Sequence, residues 1–259
     1  MPWHLNFACK FSCMNTKLLP GVMMLLLSIT CVAFILTGLL KALRKTAYTR
    51  KQQNSTILVT AAAVTGWMLL TGVLAANGFF ANFSALPPRP ALLVIVPLPF
   101  VLIAAFSKKF TAILMATPPQ WIIGMQVFRI VVELLLFRAY TINLLPKQMT
   151  FEGGNLDIFS GILAIPAAIM LRKKYRPGLV RLYNIIGLLL LLNILVIAVL
   201  SMPTPLRKFM NEPANTIIGE FPFIYLPGVL VVIAYSLHIF SLRQLRVLNN
   251  KKVQNAVAV

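Results

Sequence analysis

LLPGVMMLLLSITCVAFILTGLLKALRKTAYTRK, residues 18–51, reads in two parts: an apolar run long enough to cross a bilayer, then a short gap carrying Lys41, Arg44, Lys45, Arg50 and Lys51. A hydrocarbon core of about 30 Å is crossed by a helix of about 20 apolar residues. Basic residues in a short loop beside such a run hold that loop in the cytoplasm. The alternation recurs along the chain. Lys108 and Lys109, then Arg172 to Arg181, then Arg243 to Lys252 occupy every second gap between apolar runs, and none of the 5 Asp and Glu lies among them.

Composition agrees with this reading. A chain of 259 residues that is 59% hydrophobic and 11% charged, with a mean hydropathy of +0.86, has too much apolar surface for a water-soluble domain. Its net charge of +19 would point to nucleic acid in a soluble protein. Here the charge is divided among short gaps beside apolar runs, so no nucleic-acid partner is expected, and membrane lipids are. Seven stretches qualify as spans: 18–43, 57–80, 91–106, 121–140, 155–171, 182–202 and 221–242. With the basic gaps in the cytoplasm, the expected fold is an all-α, polytopic transmembrane helical bundle of about seven spans, N-terminus outside and C-terminus inside.

The chain then divides into an extracytoplasmic extension (1–17), a transmembrane domain (18–246) and a cytoplasmic tail (247–259). Residues 1–17 have no apolar core of their own, so they are not read as a cleavable signal, and Met14 offers an internal start. Cys9, Cys13 and Cys31 are too few and scattered for a disulfide framework, and Cys9 with Cys13 lacks the His or acidic neighbours of a metal site. Pro87, Pro88, Pro90, Pro97, Pro99, Pro118, Pro119, Pro166 and Pro227 fall at or inside the later spans. Each removes a backbone donor, so bent spans are expected, with freed carbonyls that need partners inside the bundle.

Polar chemistry begins in QWIIGMQVFRIVVELLLFRAY, residues 120–140. Gln126, Arg129 and Glu133, spaced by three and four, share one helical face. Charges at bilayer depth turn away from lipid, so Arg129 and Glu133 are expected to neutralise each other or partners on other spans. Arg138, nearer the outer interface, is read as snorkelling. The segment MTFEGGNLDIFSG, residues 149–161, adds Asn155 and Asp157. One reading makes Asn155 the cap of the next helix, with Asp157 one turn in, favoured by the helix dipole. The other lets Gly153 and Gly154 fold the loop over the bundle end and bring Asp157 to Arg129 or Arg138. The candidate ligand-binding residues are therefore Gln126, Arg129, Glu133, Asn155 and Asp157.

The runs QVFRIVVE, MTFEGGNLDIFSG and FPFIYLPGVLVVIAYSLHIFSLRQL resemble segments of a group of uncharacterised bacterial seven-span integral membrane proteins. In that group a Q-x-x-R-x-x-x-E stretch precedes an M-T-F-x-G-x-N-x-D loop. The resemblance runs over roughly residues 120–245 and implies a bacterial inner-membrane location. It implies no activity.

No cofactor is expected. Span seven has no lysine for a retinal Schiff base, and His4 and His238 are the only histidines, too few for a bis-histidine haem across the bundle. His238 is read as an interfacial residue near Arg243 rather than a ligand. The motifs H-E-x-x-H and G-x-S-x-G are absent. The leading functional reading is a carrier or small-ligand binding protein, its partner a small molecule or an ion. A membrane-embedded enzyme acting on a lipid or quinone is the alternative, with acid–base work resting on Glu133 or Asp157 alone. In a purely structural or assembly role, the charged stripe would serve as packing glue.

Overall fold

The computed structural model describes the backbone of residues 3–257 and the side chains of residues 18–250. Cys9, Cys13, His4 and the distal tail therefore lie outside the described side chains. Among the described residues the chain is helical with no strand. Its helices are α1 (Trp3–Leu43), α2 (Arg50–Ala76), α3 (Leu92–Ile95), α4 (Pro97–Phe106), α5 (Lys108–Ala116), α6 (Pro119–Gly124), α7 (Phe128–Thr141), α8 (Ile158–Lys173), α9 (Pro177–Leu200) and α10 (Val231–Val257).

Among the described residues, five segments are long and apolar enough to cross a membrane: Leu18–Leu43, Arg50–Ala76, Arg89–Phe106, Pro177–Leu200 and Leu226–Asn250. They make the chain an integral membrane protein. Their outward faces are apolar, with Leu58, Phe100 and Ile103 among the most exposed large side chains. The stretches expected to supply spans four and five are less regular. The first is α6 and α7 joined by a 3-10 turn at Met125–Val127. The second, α8, has 16 residues, about 24 Å at 1.5 Å per residue.

Several boundaries move from their expected places for local reasons. α2 starts at Arg50 because Thr49 and Gln52 form a reciprocal capping box, Gln52 N–H donating to Thr49 Oγ1 (3.3 Å) and Thr49 N–H to Gln52 Oε1 (3.0 Å). α9 starts at Pro177, an imino acid suited to the first helical turn. The break between α3 and α4 falls at Val96, with Pro97 opening α4, and α8 continues through Pro166. At Pro227 the chain winds as a π-helical turn over Leu226–Leu230 before α10 begins. Side chains of other helices meet carbonyls at these irregular points. Trp67 Nε1–H donates to Gly228 O at 2.8 Å, and Tyr235 O–H to Val94 O at 3.3 Å.

α10 is the central helix, packed against α4, α5, α6 and α9, while α8 packs on α6, α7 and α9, and α1 on α2, α5 and α7. The basic segments meet at one end. Tyr48 O–H donates to Lys109 O (2.9 Å), the Arg243 guanidinium lies over the Phe106 ring, and Leu245 packs with Leu171 and Val180. The short helix α5 lies at this end, begun by Ser107, whose Oγ accepts from Phe110 N–H. At the opposite end, the loop after α9 carries an Arg207–Glu212 pair in which Glu212 is exposed and Arg207 half-buried.

Candidate functional site

Arg129, on the first turn of α7, is 1% exposed and is the hub of a hydrogen-bonded network. Its Nε donates to Asp157 Oδ2 at 2.7 Å, and its Nη2 donates to Asp157 Oδ1. Nη1 reaches Ser160 Oγ at 2.6 Å and His238 Nε2 at 3.0 Å. Of the partners expected for Arg129, Glu133 is thus ruled out and Asp157 is the counter-ion. A guanidinium presents two parallel N–H groups to a carboxylate that meets it edge-on, and the carboxylate arriving from the loop takes that position.

The 149–161 segment makes this approach through its glycines. Gly154 has φ +117°, a conformation that side chains disfavour, and a Cβ on Gly153 would collide with the Lys147 carbonyl. The loop is fastened from α9 by Asn193 Nδ2, which donates to Gly154 O at 2.9 Å. Asp157 reaches Arg129, whereas exposed Arg138 bonds Thr141 Oγ1 on its own helix. The capping expectation is corrected as well. Asp157 stands at the N-cap position of α8, its side chain making no cap bond, and Asn155 lies before it. Asn155 Oδ1 accepts the Asp157 N–H at 3.0 Å, an Asx-type turn that orients the aspartate.

Glu133 is held by the other end of the same amide. Both of its oxygens lie 2.7 Å from Asn155 Nδ2, which also donates to Met149 O at 3.0 Å. Because Asn155 Oδ1 accepts from a backbone N–H, the amide orientation is settled, and of its two N–H bonds one serves Met149. A single shared N–H is left for a carboxylate with about four acceptor positions. Among the described residues no cation lies within ion-pair distance of Glu133. Gln126, in the 3-10 turn, donates to Ala234 O at 3.0 Å and leaves its buried Oε1 unpaired.

His238 is fully buried and belongs to this network, which corrects its reading as an interfacial residue. The seventh apolar helix runs on past residue 242, so His238 falls midway along Leu226–Asn250. Arg129 can only donate, so His238 Nε2 accepts and Nδ1 carries the proton. That N–H donates to Asn184 Oδ1 at 2.9 Å, while Asn184 Nδ2 donates to Val180 O (2.7 Å) and Ser241 Oγ (2.8 Å). Space for the imidazole comes from Gly187, where a Cβ would collide with the ring. Ser160, Asn184, Gly187, His238 and Ser241 thus join the five residues chosen from the sequence. Their signal there was isolated polarity or smallness within apolar helices: Asn184 and Gly187 three apart on α9, and His238 and Ser241 three apart on α10.

One edge of the network faces a cavity of about 70 Å³, several times the ~10–15 Å³ that one water requires. Arg129, Glu133 and Asp157 supply its charged wall. The rest is apolar, including Leu136, Leu191, Ile194, Ala198, Leu226 and Leu230. Among the described residues, no three His, Cys, Asp or Glu converge to hold a metal ion.

Residues 86–246 match the model of a family described as a domain of unknown function, DUF8737. No curated protein and no solved structure matches the chain. The family region contains every residue of the network and the cavity wall. It spans more than half of the sequence, and the chain belongs to this family.

Proposed function

We propose that this member of the DUF8737 family is a carrier or small-ligand binding protein of the bacterial inner membrane. In this reading it crosses the bilayer seven times, with the N-terminus outside and the C-terminus inside. Gln126, Arg129, Glu133, Asn155 and Asp157 form an outward-side polar site. The gathering of the basic segments at one end of the bundle supports the orientation, because such segments are retained in the cytoplasm. In the seven-crossing arrangement α6 with α7 and α8 are the fourth and fifth spans. Arg129 and Glu133 on α7, and Asp157 at the start of α8, are buried in the bundle, as charges at bilayer depth require.

The observation that carries the functional reading is the cavity itself: an apolar chamber with charged side chains on one wall, a lining suited to a ligand of few non-hydrogen atoms. An acid–base enzyme is less well served. Asp157 is committed to Arg129 on both oxygens, which leaves Glu133 as the one loosely held acid of the network.

Access tests the reading. With Cys9, Cys13 and Cys31 replaced, the Ile194→Cys protein should react with a small membrane-impermeant thiol reagent applied to the outer face. Ala198→Trp, which fills the chamber, should slow that reaction about tenfold or more, as exclusion from an occupied site would. An unreactive thiol, or one indifferent to Ala198→Trp, would count against a ligand chamber.

A further inference from the structure

We infer that the ligand taken by this chamber is a small organic cation, an amine or quaternary ammonium with an apolar body, whose charge is met by Glu133. The inference rests on the ligand-site reading above and adds the chemical class.

With Glu133 ionised, the charges of the network do not balance. Arg129 and Asp157 neutralise each other through a two-pronged contact. His238 accepts from Arg129 on Nε2 and donates from Nδ1, the pattern of a neutral ring. Glu133 remains, 1% exposed and on the chamber wall, with one shared amide N–H for its two oxygens. A buried carboxylate with so little compensation favours a positive charge beside it. The apolar lining says what else the ligand carries, since Leu136, Leu191, Ile194 and Leu230 offer contact without hydrogen bonds. An anion of the same size would meet a carboxylate in place of a counter-charge. Arg129 cannot serve it, because the guanidinium is occupied by Asp157, Ser160 and His238.

Two methanethiosulfonate reagents of similar size and opposite charge test this, the ethyltrimethylammonium and the ethylsulfonate. Each is applied to the Ile194→Cys protein, with Met210→Cys, at 69% exposure in the outer loop, as the reference for intrinsic reactivity. After that normalisation the cationic reagent should be faster by about tenfold or more, as one nearby uncompensated charge implies. Glu133→Gln should remove the preference and Glu133→Asp should keep it. Hexylammonium should protect the thiol, and hexanoate should not. Equal rates, a faster anion, or a preference that survives Glu133→Gln overturns the cation assignment while leaving the chamber as a ligand site. Reaction at Met210→Cys with none at Ile194→Cys overturns the ligand-site reading itself. Should Glu133→Gln fail to accumulate, the hexyl pair decides on the Ile194→Cys protein alone: protection by hexanoate, or by neither compound, is the contrary result.

Discussion

Asp157 and Glu133 carry the same charge within one buried network, yet they should respond in opposite ways to neutralisation. Asp157→Asn strands the Arg129 guanidinium. Breaking a buried pair costs about 3–5 kcal/mol in soluble proteins, and less where water or lipid headgroups reach the charge. Glu133→Gln keeps an oxygen for Asn155 and removes a carboxylate that lacks a cation, so stability should hold within about 1 kcal/mol or rise. Arg129→Met added to Asp157→Asn should recover most of the loss. Thermal unfolding of the purified variants checks all three, and Glu133→Gln as damaging as Asp157→Asn would refute the pairing. Gly187→Ala should cost about 1–3 kcal/mol in the same assay, because its methyl group meets the His238 ring. The charged stripe was legible in the sequence because charges in an apolar helix must turn inward. The choice of partner was legible only as an alternative between Glu133 and Asp157, since it depends on how the Gly153–Gly154 turn aims Asp157, and no helical spacing encodes that.

Among the elements, the regular spans were readable from their apolar length and the irregular ones only in outline. Pro227 announced a disturbed helix, but not that the disturbance would be a π-helical turn whose Gly228 carbonyl is met by Trp67 from α2. That hydrogen bond is inside the bundle, where an unmet carbonyl is costly. Trp67→Phe should therefore lower stability by about 1 kcal/mol, as read by thermal unfolding in detergent. His238 shows how a boundary error becomes a site error. Ending the seventh helix near residue 242 moved a mid-helix histidine to the interface, and the true extent follows from its packing against α4, α5, α6 and α9. The helix α5 escaped notice because nine residues with an apolar face, Ile113 and Leu114, look like any short link between spans.

Across the whole molecule, the two ends differ in chemistry. One end carries the Arg207–Glu212 pair, and the Glu212 carboxyl is held below its ordinary range, first by the Arg207 hydrogen bond and then by the Ala214 N–H. A lowered carboxyl contributes above its unfolded value and loses that contribution as pH falls through the folded one. Glu212 is solvent-exposed, so Glu212→Gln should leave the melting temperature unchanged at neutral pH. The other end gathers Lys41 to Lys51, Lys108, Lys109 and Arg243, and the seven-crossing, outward-site account depends on that end facing the cytoplasm. The direct measurement is labelling of intact cells with a membrane-impermeant maleimide, using single cysteines placed at Lys45 and at Met210 after the native cysteines are replaced. Met210→Cys should be labelled from outside, and Lys45→Cys only after the cells are opened. Labelling of Lys45→Cys in intact cells would contradict that orientation.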